Sequence, residues 1–404
     1  MASMSSSLRR RPALTPAPRT RTRTRAPDWR EWAGIHKTMA KQIAGHALAN
    51  DVADYLQFRA ACAPWRENTA EDDPKKHSVL DHRFHPRRWI LLPNGSSTYV
   101  ADDDSRDRHS MVNLSRRTKI AVDLPHLQGH TVAIGCGGSP GGVLVLVHAE
   151  TLVVRLLNPL TGQRVDLPSV APVLGGQRMG HRDKDFSRKC KVLGAGFAGD
   201  STVVLHFGWD NKLVSSKIGD DHWEIISEGD LHCSAFPFRG KVYFADKGRE
   251  GLMVVDAEAT PPSLVLAARW PTKRLEFWFA YMADSSGVLL VLTNKVNYQG
   301  GQGQDDDYTV KFDLFRLDAD AGKLIRVKDL GQRAMFVGDY SGAFVVSAEG
   351  NVVPNAIYFH QDLHEKLLVR GLSDGRTRPM TEAQGGFIDD LTSYVRWNGS
   401  NKEC

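Results

Sequence analysis

Short apolar runs separated by turn residues occupy most of the chain, from about residue 87 to residue 385. β-Branched and other apolar residues make up most of the runs at 142–147, 202–207 and 287–292, and Gly, Pro, Asn and Asp stand between the runs. Runs of this length and composition are typical of β-strands. They recur at roughly the 40–50-residue spacing of propeller blades, and radial closure leaves only short sheet edges exposed. The pattern therefore predicts a mainly β fold, a β-propeller of about six or seven blades over residues 87–385.

A helical periodicity replaces the strand pattern in residues 28–69. Four apolar residues of its first part share a spacing of four residues: Ile35, Met39, Ile43 and Ala47. This spacing predicts a helix with one apolar stripe. Asp51 is a suitable N-cap for a second helix, and Asp54 would place negative charge in that helix's first turn. We therefore expect a small α-helical module in front of the propeller.

The end of this module carries a second apolar pattern. Tyr55, Phe58, Cys62 and Trp65 lie at positions i, i+3, i+7 and i+10, which is one face of an α-helix. Pro64 is expected to interrupt or end that helix just before Trp65. A large apolar face on so short a segment must be buried against the module itself, the following domain or a partner.

Three polar segments flank these two domains. Residues 1–27 are rich in Arg, Ser, Thr and Pro and should be disordered. They form a solvated tail, an organellar transit peptide, or an arm for nuclear import or nucleic-acid binding. Residues 70–86 are expected to be a linker, and residues 386–404 a C-terminal tail.

Charge and hydropathy narrow the range of partners. The formal net charge is +5, but residues 1–27 contain seven Arg and no acid, so the remainder carries about −2. The body of the protein therefore has no footprint of a nucleic-acid-binding protein. No apolar run approaches the about 18 residues that span a bilayer, and we expect no membrane partner. Without a secretory signal, we expect an intracellular protein of the nucleus or cytoplasm, or of an organelle if residues 1–27 are a transit peptide.

Two glycine-rich motifs resemble catalytic or cofactor motifs but have the wrong context. Residues 194–199 match GxGxxG, yet a β-branched strand follows where a dinucleotide site needs a helix, so we interpret them as a turn. Residues 137–141 match GxSxG around Ser139, but Pro140 and a strand follow, whereas a nucleophile elbow leads into a helix. The 15 His and five Cys show no metal-ligand spacing. We expect no catalytic residue, no metal and no cofactor, and thus no enzyme.

Taken in order, several of these segments resemble plant F-box proteins that carry a KIB-type β-propeller. The resemblance covers nearly everything after residue 27. It is carried by six short segments: 28–29, 58–66, 87–91, 157–162, 330–338 and 355–359. In that family the F-box binds a Skp-type adaptor of a cullin–RING ubiquitin ligase, and the propeller is taken to hold a target protein.

The resemblance implies an adaptor-binding surface in the helical module. The residues that it points to are Ile35, His36, Met39, Ile43, Phe58 and Trp65. His36 stands where an F-box normally has Pro, a residue favoured in the first turn of a helix because its φ is preset and its missing N–H costs nothing there.

Three functions remain open at this point. The first is the substrate-recognition subunit of an SCF-type ubiquitin ligase, whose propeller binds an unknown target protein. The second is a protein-binding propeller with a decayed F-box, in an organelle if the Arg-rich tail is a transit peptide. A propeller enzyme has the least support, because no paired acids or metal ligands can be placed.

Overall fold

The fold consists of short N-terminal helices, a ring of β-sheets and one C-terminal helix. The structure is a computed structural model, and it describes residues 30–92, 107–134, 142–175, 192–199, 201–208, 211–229, 235–245, 251–272, 277–298, 308–338, 342–361, 366–380 and 386–400. The Arg-rich segment 1–27 and the motif around Ser139 lie outside these residues.

The helical module contains four α-helices in the first part of the chain. They are α1 (Arg30–Ala33), α2 (Lys37–Asn50), α3 (Val52–Ala61) and α4 (Ala63–Asn68). As predicted, Asp51 caps α3, and its carboxylate accepts a hydrogen bond from the backbone N–H of Ala53. Asp54 lies in the first turn of α3, where a negative charge stabilises the helix.

The strands form four-stranded sheets or close variants of them. The first three sheets contain β1 (Trp89–Leu91), β2 (Arg108–Asn113) and β3 (Lys119–Asp123); β4 (His130–Ile134), β5 (Leu144–His148), β6 (Val153–Leu157) and β7 (Arg164–Ser169); and β8 (Val192–Ala198), β9 (Thr202–Phe207), β10 (Lys212–Lys217) and β11 (Glu224–Glu228). The next two contain β12 (Phe236–Phe238), β13 (Lys241–Ala245), β14 (Gly251–Asp256) and β15 (Ser263–Arg269); and β16 (Phe279–Asp284), β17 (Leu289–Tyr298), β18 (Tyr308–Asp318) and β19 (Lys323–Val327). A single parallel pairing, between Arg269 and Lys323, joins these two blades at their outer edges into one eight-stranded sheet. The last contains β20 (Arg333–Val337), β21 (Ala343–Ser347), β22 (Ala356–Gln361), β23 (Lys366–Gly371) and β24 (Thr377–Pro379).

Apolar packing between neighbouring sheets closes the ring. Strand β13 shows how, because its alternate side chains face opposite ways. Val242 and Phe244 pack against the sheet β8–β11, whereas Tyr243 and Ala245 pack against the sheet β16–β19. Equivalent clusters join every sheet to the next, and one of them joins the last sheet to the first. The described strands therefore form a β-propeller of six blades, at the lower end of the predicted count.

The segment 70–86 is packed between the module and the propeller, so it is not the linker that its polar composition suggested. Three 3₁₀ turns, Ala70–Asp72, Pro74–Lys76 and His82–Phe84, shape it. The Phe84 side chain is fully buried in the core of the helical module, and Val79 packs into the core between the second and third blades. These two buried side chains hold the segment in place.

The C-terminal segment is a packed helix and not a tail. Helix α5 (Phe387–Ser400) buries Leu391, Tyr394 and Val395 where the last blade meets the first. Asp390 accepts a hydrogen bond from Lys119 of β3. The apolar residues at i, i+3 and i+4 supply the buried face of this helix.

The glycine motif at 194–199 begins inside a strand and not in a turn. Gly194 and Gly196 lie within β8, the innermost strand of its blade. A Cβ at Gly194 would lie 2.4 Å from the backbone N of Ala235 in the next blade. Glycine is needed here because the backbone just before β12 approaches β8 so closely. Gly199, with φ at +63°, is the motif's turn position.

Within the described part of the chain, no helix is long and apolar enough to cross a membrane. In the same residues, no group of three His, Cys, Asp or Glu side chains is arranged to hold a metal ion.

Candidate functional site: the helical module and its contact with the propeller

His36 is the residue that begins the second helix. It is the N-cap of α2, and its Nδ1 accepts a hydrogen bond from the backbone N–H of Thr38 over 3.3 Å. Its backbone, with φ at −58° and ψ at 140°, lies in the region that proline also adopts. The imidazole thus satisfies one of the free N–H groups that a helix leaves at its N-terminus.

The predicted apolar stripe of α2 faces solvent over much of its length. Met39 is 55% exposed and Ile43 is 40% exposed, while Ala40 and Ala44 form the buried side of the helix. Ile35 precedes the helix and packs partly against the module core. Two large apolar side chains one turn apart on an exposed face are available to a partner.

Phe58 and Trp65 build the module and are not part of its exposed face. The expected single helix breaks at Cys62, because α3 ends at Ala61 and α4 begins at Ala63 with Pro64 in its first turn. The rings of Phe58 and Trp65 stack at 4.7 Å with an interplanar angle of 14°. Trp65 also donates its indole N–H to the backbone carbonyl of Trp32 over 2.8 Å. These two predicted site residues therefore hold α1, α3 and α4 together.

A buried arginine that no sequence motif marks as functional fixes the start of the segment 70–86. Arg59 donates to the carbonyl and the hydroxyl of Thr69 and forms an ion pair with Asp73 at 2.8 Å. The hydroxyl of Tyr55 donates to the carbonyl of Asp72 over 2.7 Å, and burial raises the pKa of this phenol. In the sequence, the only sign of this structural role is that a charged residue, Arg59, stands at a position of α3 that faces the core.

Asp51 joins the module to the first blade. One of its oxygens accepts from the indole N–H of Trp89 over 3.0 Å and from the side-chain amide of Asn113 over 2.8 Å. Close to it, Arg116 pairs through two nitrogens with Asp54, and this contact lowers the pKa of the Asp54 carboxyl. A single buried carboxylate thus caps α3 and anchors it to the propeller.

The turn between β6 and β7 supplies a second anchor. The amide of Asn158 donates to the carbonyl of Phe84 over 2.8 Å, and the amide of Gln163 donates to the carbonyls of Pro74 and His77 over 2.6 Å each. Leu160, between them, packs against the module core. The turn 158–163, most of which lies in one of the segments that carry the family resemblance, is therefore a docking element.

A cavity of about 830 Å³ lies beside this contact. All six blades, or the residues leading into them, contribute to its wall, so the cavity is one mouth of the central channel. Its walls combine aromatic side chains, such as Trp89, Phe197 and Phe238, with the arginines Arg88 and Arg239. His85 of the cavity wall is only 7% exposed, and burial lowers the pKa of its imidazole to about 4.

Comparison with known proteins identifies one family and one weak relative. A family model described as the KIB1-4 β-propeller matches residues 110–381. An F-box/kelch-repeat protein of Arabidopsis thaliana is 26% identical over 132 residues, which is 33% of this chain and 30% of that protein. The match thus spans about a third of the relative's length.

Solved structures show only distant likeness. A chain from a nidogen/laminin complex matches with a TM-score of 0.36 and 11% identity, covering 72% of this chain and 90% of its own. The major allergen Mala s 1 of Malassezia sympodialis matches with a TM-score of 0.32 and 9% identity, covering 74% of this chain and 99% of its own. At these TM-scores neither structure indicates a function for this chain.

Proposed function

The chain belongs to the KIB1-4 β-propeller family, and from this premise we propose that it is the substrate-recognition subunit of an SCF-type ubiquitin ligase. In this role the helical module binds a Skp-type adaptor and the propeller binds a target protein. The F-box/kelch-repeat relative supports a module of the F-box type. We place the protein in the nucleus or cytoplasm, where such a ligase would act.

The observation that carries the proposal is the exposed apolar side of the module. Met39 and Ile43 lie one turn apart on α2 and are 55% and 40% exposed, and Trp32 in α1 is 62% exposed. Large apolar side chains concentrated in so small a module are typical of an interface that is buried on binding. The adaptor surface that we propose therefore consists of Trp32, Met39 and Ile43.

The opposite side of the module is already occupied. Ala40 and Ala44 face the module core, and Asp51 and Phe84 tie that core to the propeller. The six residues predicted for the adaptor surface thus divide by role. Met39 and Ile43 are the contact residues, His36 starts the helix, and Ile35, Phe58 and Trp65 support it from inside.

Co-purification of the full chain with a Skp-type adaptor tests this function. We expect wild type to form a stable complex and the double variant Met39→Glu/Ile43→Glu to lose it, because two buried charges without partners cost several kcal/mol. Val265→Glu/Leu266→Glu is the matched control, since Val265 is 42% exposed and Leu266 is 40% exposed on β15, away from the module.

The outcomes separate the two open functions. Binding by wild type and by the control, but not by the α2 variant, supports the ligase subunit. Failure of wild type to bind, with binding restored by His36→Pro, would identify a decayed F-box. Failure of both would refute the proposal and leave a protein-binding propeller.

A further inference from the structure

We propose that the channel mouth beside the helical module is a binding site for an acidic peptide segment of a partner protein. The site consists of Arg87, Arg88 and Arg239 around the aromatic wall of the cavity of about 830 Å³. It is separate from the exposed face of α2, and the proposal does not depend on adaptor binding.

The three arginines are exposed, and among the described residues none forms an ion pair with a carboxylate. Arg87 donates to the carbonyl of His82, Arg88 to the hydroxyl of Ser115, and Arg239 to the carbonyl of Gly287. Backbone carbonyls and a hydroxyl leave the positive charge of each guanidinium uncompensated. By contrast, Arg116 at the edge of the cavity is paired with Asp54. The free charges therefore point to an anionic ligand.

The two acids of the cavity wall, Asp51 and Asp284, offset these charges only in part, because two carboxylates face three arginines. Asp51 is buried and its carboxylate already accepts hydrogen bonds from Trp89, Asn113 and the backbone of Ala53. Asp284 accepts a hydrogen bond from the backbone N–H of Gly287. An entering carboxylate would thus meet three guanidinium groups that have no ion-pair partner in the described part of the chain, in a partly enclosed space where ion pairs are stronger than on an open surface.

Two further features are typical of a binding site. Arg239 lies in the two-residue turn between β12 and β13, where its φ of 49° and that of Gly240 at 72° are the values that such a hairpin requires, so a tight turn fixes its position at the cavity wall. His85 in the wall is 7% exposed and uses one ring nitrogen on the carbonyl of Val79. Among the described residues its other nitrogen, Nδ1, has no hydrogen-bond partner.

The site suits a short acidic peptide better than a nucleic acid. Beyond the Arg-rich residues 1–27, the chain carries a net charge of about −2, so its overall charge gives a long polyanion no attraction outside the cavity. Phe238 is buried beneath the guanidinium of Arg239 at 5.3 Å, and the half-buried Phe236 and Pro237 beside it offer apolar surface to the side chains and backbone of a peptide.

Fluorescence anisotropy with a labelled decaglutamate peptide tests the site in the full-length protein. Because the tail could bind this peptide, every measurement is also made in a background in which the seven Arg of residues 1–27 are Ser. In both backgrounds we expect Arg87→Glu/Arg88→Glu/Arg239→Glu to weaken binding at least tenfold. The matched control Arg108→Glu/Lys217→Glu/Lys323→Glu makes the same charge change at exposed positions outside the cavity, and we expect less than threefold weakening.

Four results would overturn the proposal. Equal weakening by the two triple variants would show non-specific attraction, and loss of binding in the Ser-tail background would place the site in the tail. Competition by inorganic phosphate as effective as that by the peptide would indicate a simple anion site. Tighter binding of a decathymidine oligonucleotide would indicate a nucleic-acid site. Circular dichroism of each triple variant checks that a loss of binding is not a loss of fold.

Discussion

Replacing Asp51 with Ala should release the helical module from the propeller. The carboxylate has three hydrogen-bond partners: it caps α3 at Ala53, and it accepts from Trp89 and Asn113 in the first blade. Loss of an N-cap costs about 1 kcal/mol. Each of the two buried donors left without an acceptor costs about 1.5 kcal/mol or more. We therefore expect the free energy of opening of the module to fall by about 4 kcal/mol.

Hydrogen–deuterium exchange followed by mass spectrometry measures this loss locally. A decrease of about 4 kcal/mol corresponds to roughly a thousandfold faster exchange of the α2 and α3 amides, provided that opening is in rapid equilibrium. Peptides from β12–β19, on the far side of the ring, should exchange at the wild-type rate. The two sets of peptides thus separate release of the module from general unfolding.

Two variants serve as controls for Asp51→Ala. Asp51→Asn keeps an oxygen that can cap α3 and accept one side-chain N–H, so it should lose about half as much free energy. Asp81→Ala removes a comparable cap, since the Asp81 carboxylate accepts from the backbone N–H of Arg83 in an exposed turn. It should accelerate exchange of α3 less than tenfold. If Asp51→Ala has an effect as small as that of Asp81→Ala, the carboxylate is not the anchor inferred here.

Three further predictions concern single side chains. Burial lowers the pKa of His206 to about 3, and its imidazole, which packs edge-on to Phe244, has no hydrogen-bond partner among the described residues. Below the ordinary imidazole pKa of about 6.5, the unfolded chain binds a proton at this group and the folded protein does not. The free energy of unfolding therefore keeps its full value above that pH and falls by about 2 kcal/mol by pH 5. His206→Phe should remove that part of the acid sensitivity in denaturation curves at pH 8 and pH 5, and a large loss at pH 8 would contradict this. Trp65→Ala should cost about 2–3 kcal/mol, less than for a fully buried ring because Trp65 is only partly buried over Phe58; an unchanged melting temperature would show that the stack contributes nothing. His36→Pro should change stability by less than about 1 kcal/mol, because the preset φ offsets the lost cap, and a larger loss would mean that its N–H or imidazole has a greater role.

The propeller could be predicted from the sequence because its signal is local and repeated. Each blade needs alternating side chains that are apolar on both faces, and turn residues between its strands. Tyr243 and Val242 show this rule, since neighbouring residues of one strand pack against different blades. The N-cap at Asp51 and the break before Trp65 follow equally local rules of helix capping and proline geometry.

The contacts between the module and the propeller could not be predicted in this way. Asn158 and Gln163 are polar residues of a turn, and their amides find carbonyl partners 74 to 89 residues away in the chain. The burial of Arg59 could not be predicted from the sequence either, because it depends on where the chain passes after Thr69. Residues 70–86 have a linker's composition, and only their place between two buried surfaces turns them into a fixed structure.

Asp51 and His36 together explain how α2 and α3 are kept in place without the usual proline. His36 provides through its imidazole the cap that helps α2 to begin. Asp51, directly after the end of α2, starts α3 and attaches it to Trp89. The helix is therefore held at its C-terminal end by a buried carboxylate, and the loss of proline at its start has a limited effect on its position. A proline in place of His36 would change the surface at the N-terminus of α2, next to Met39. It would therefore affect the contact with a partner more than the stability of the module.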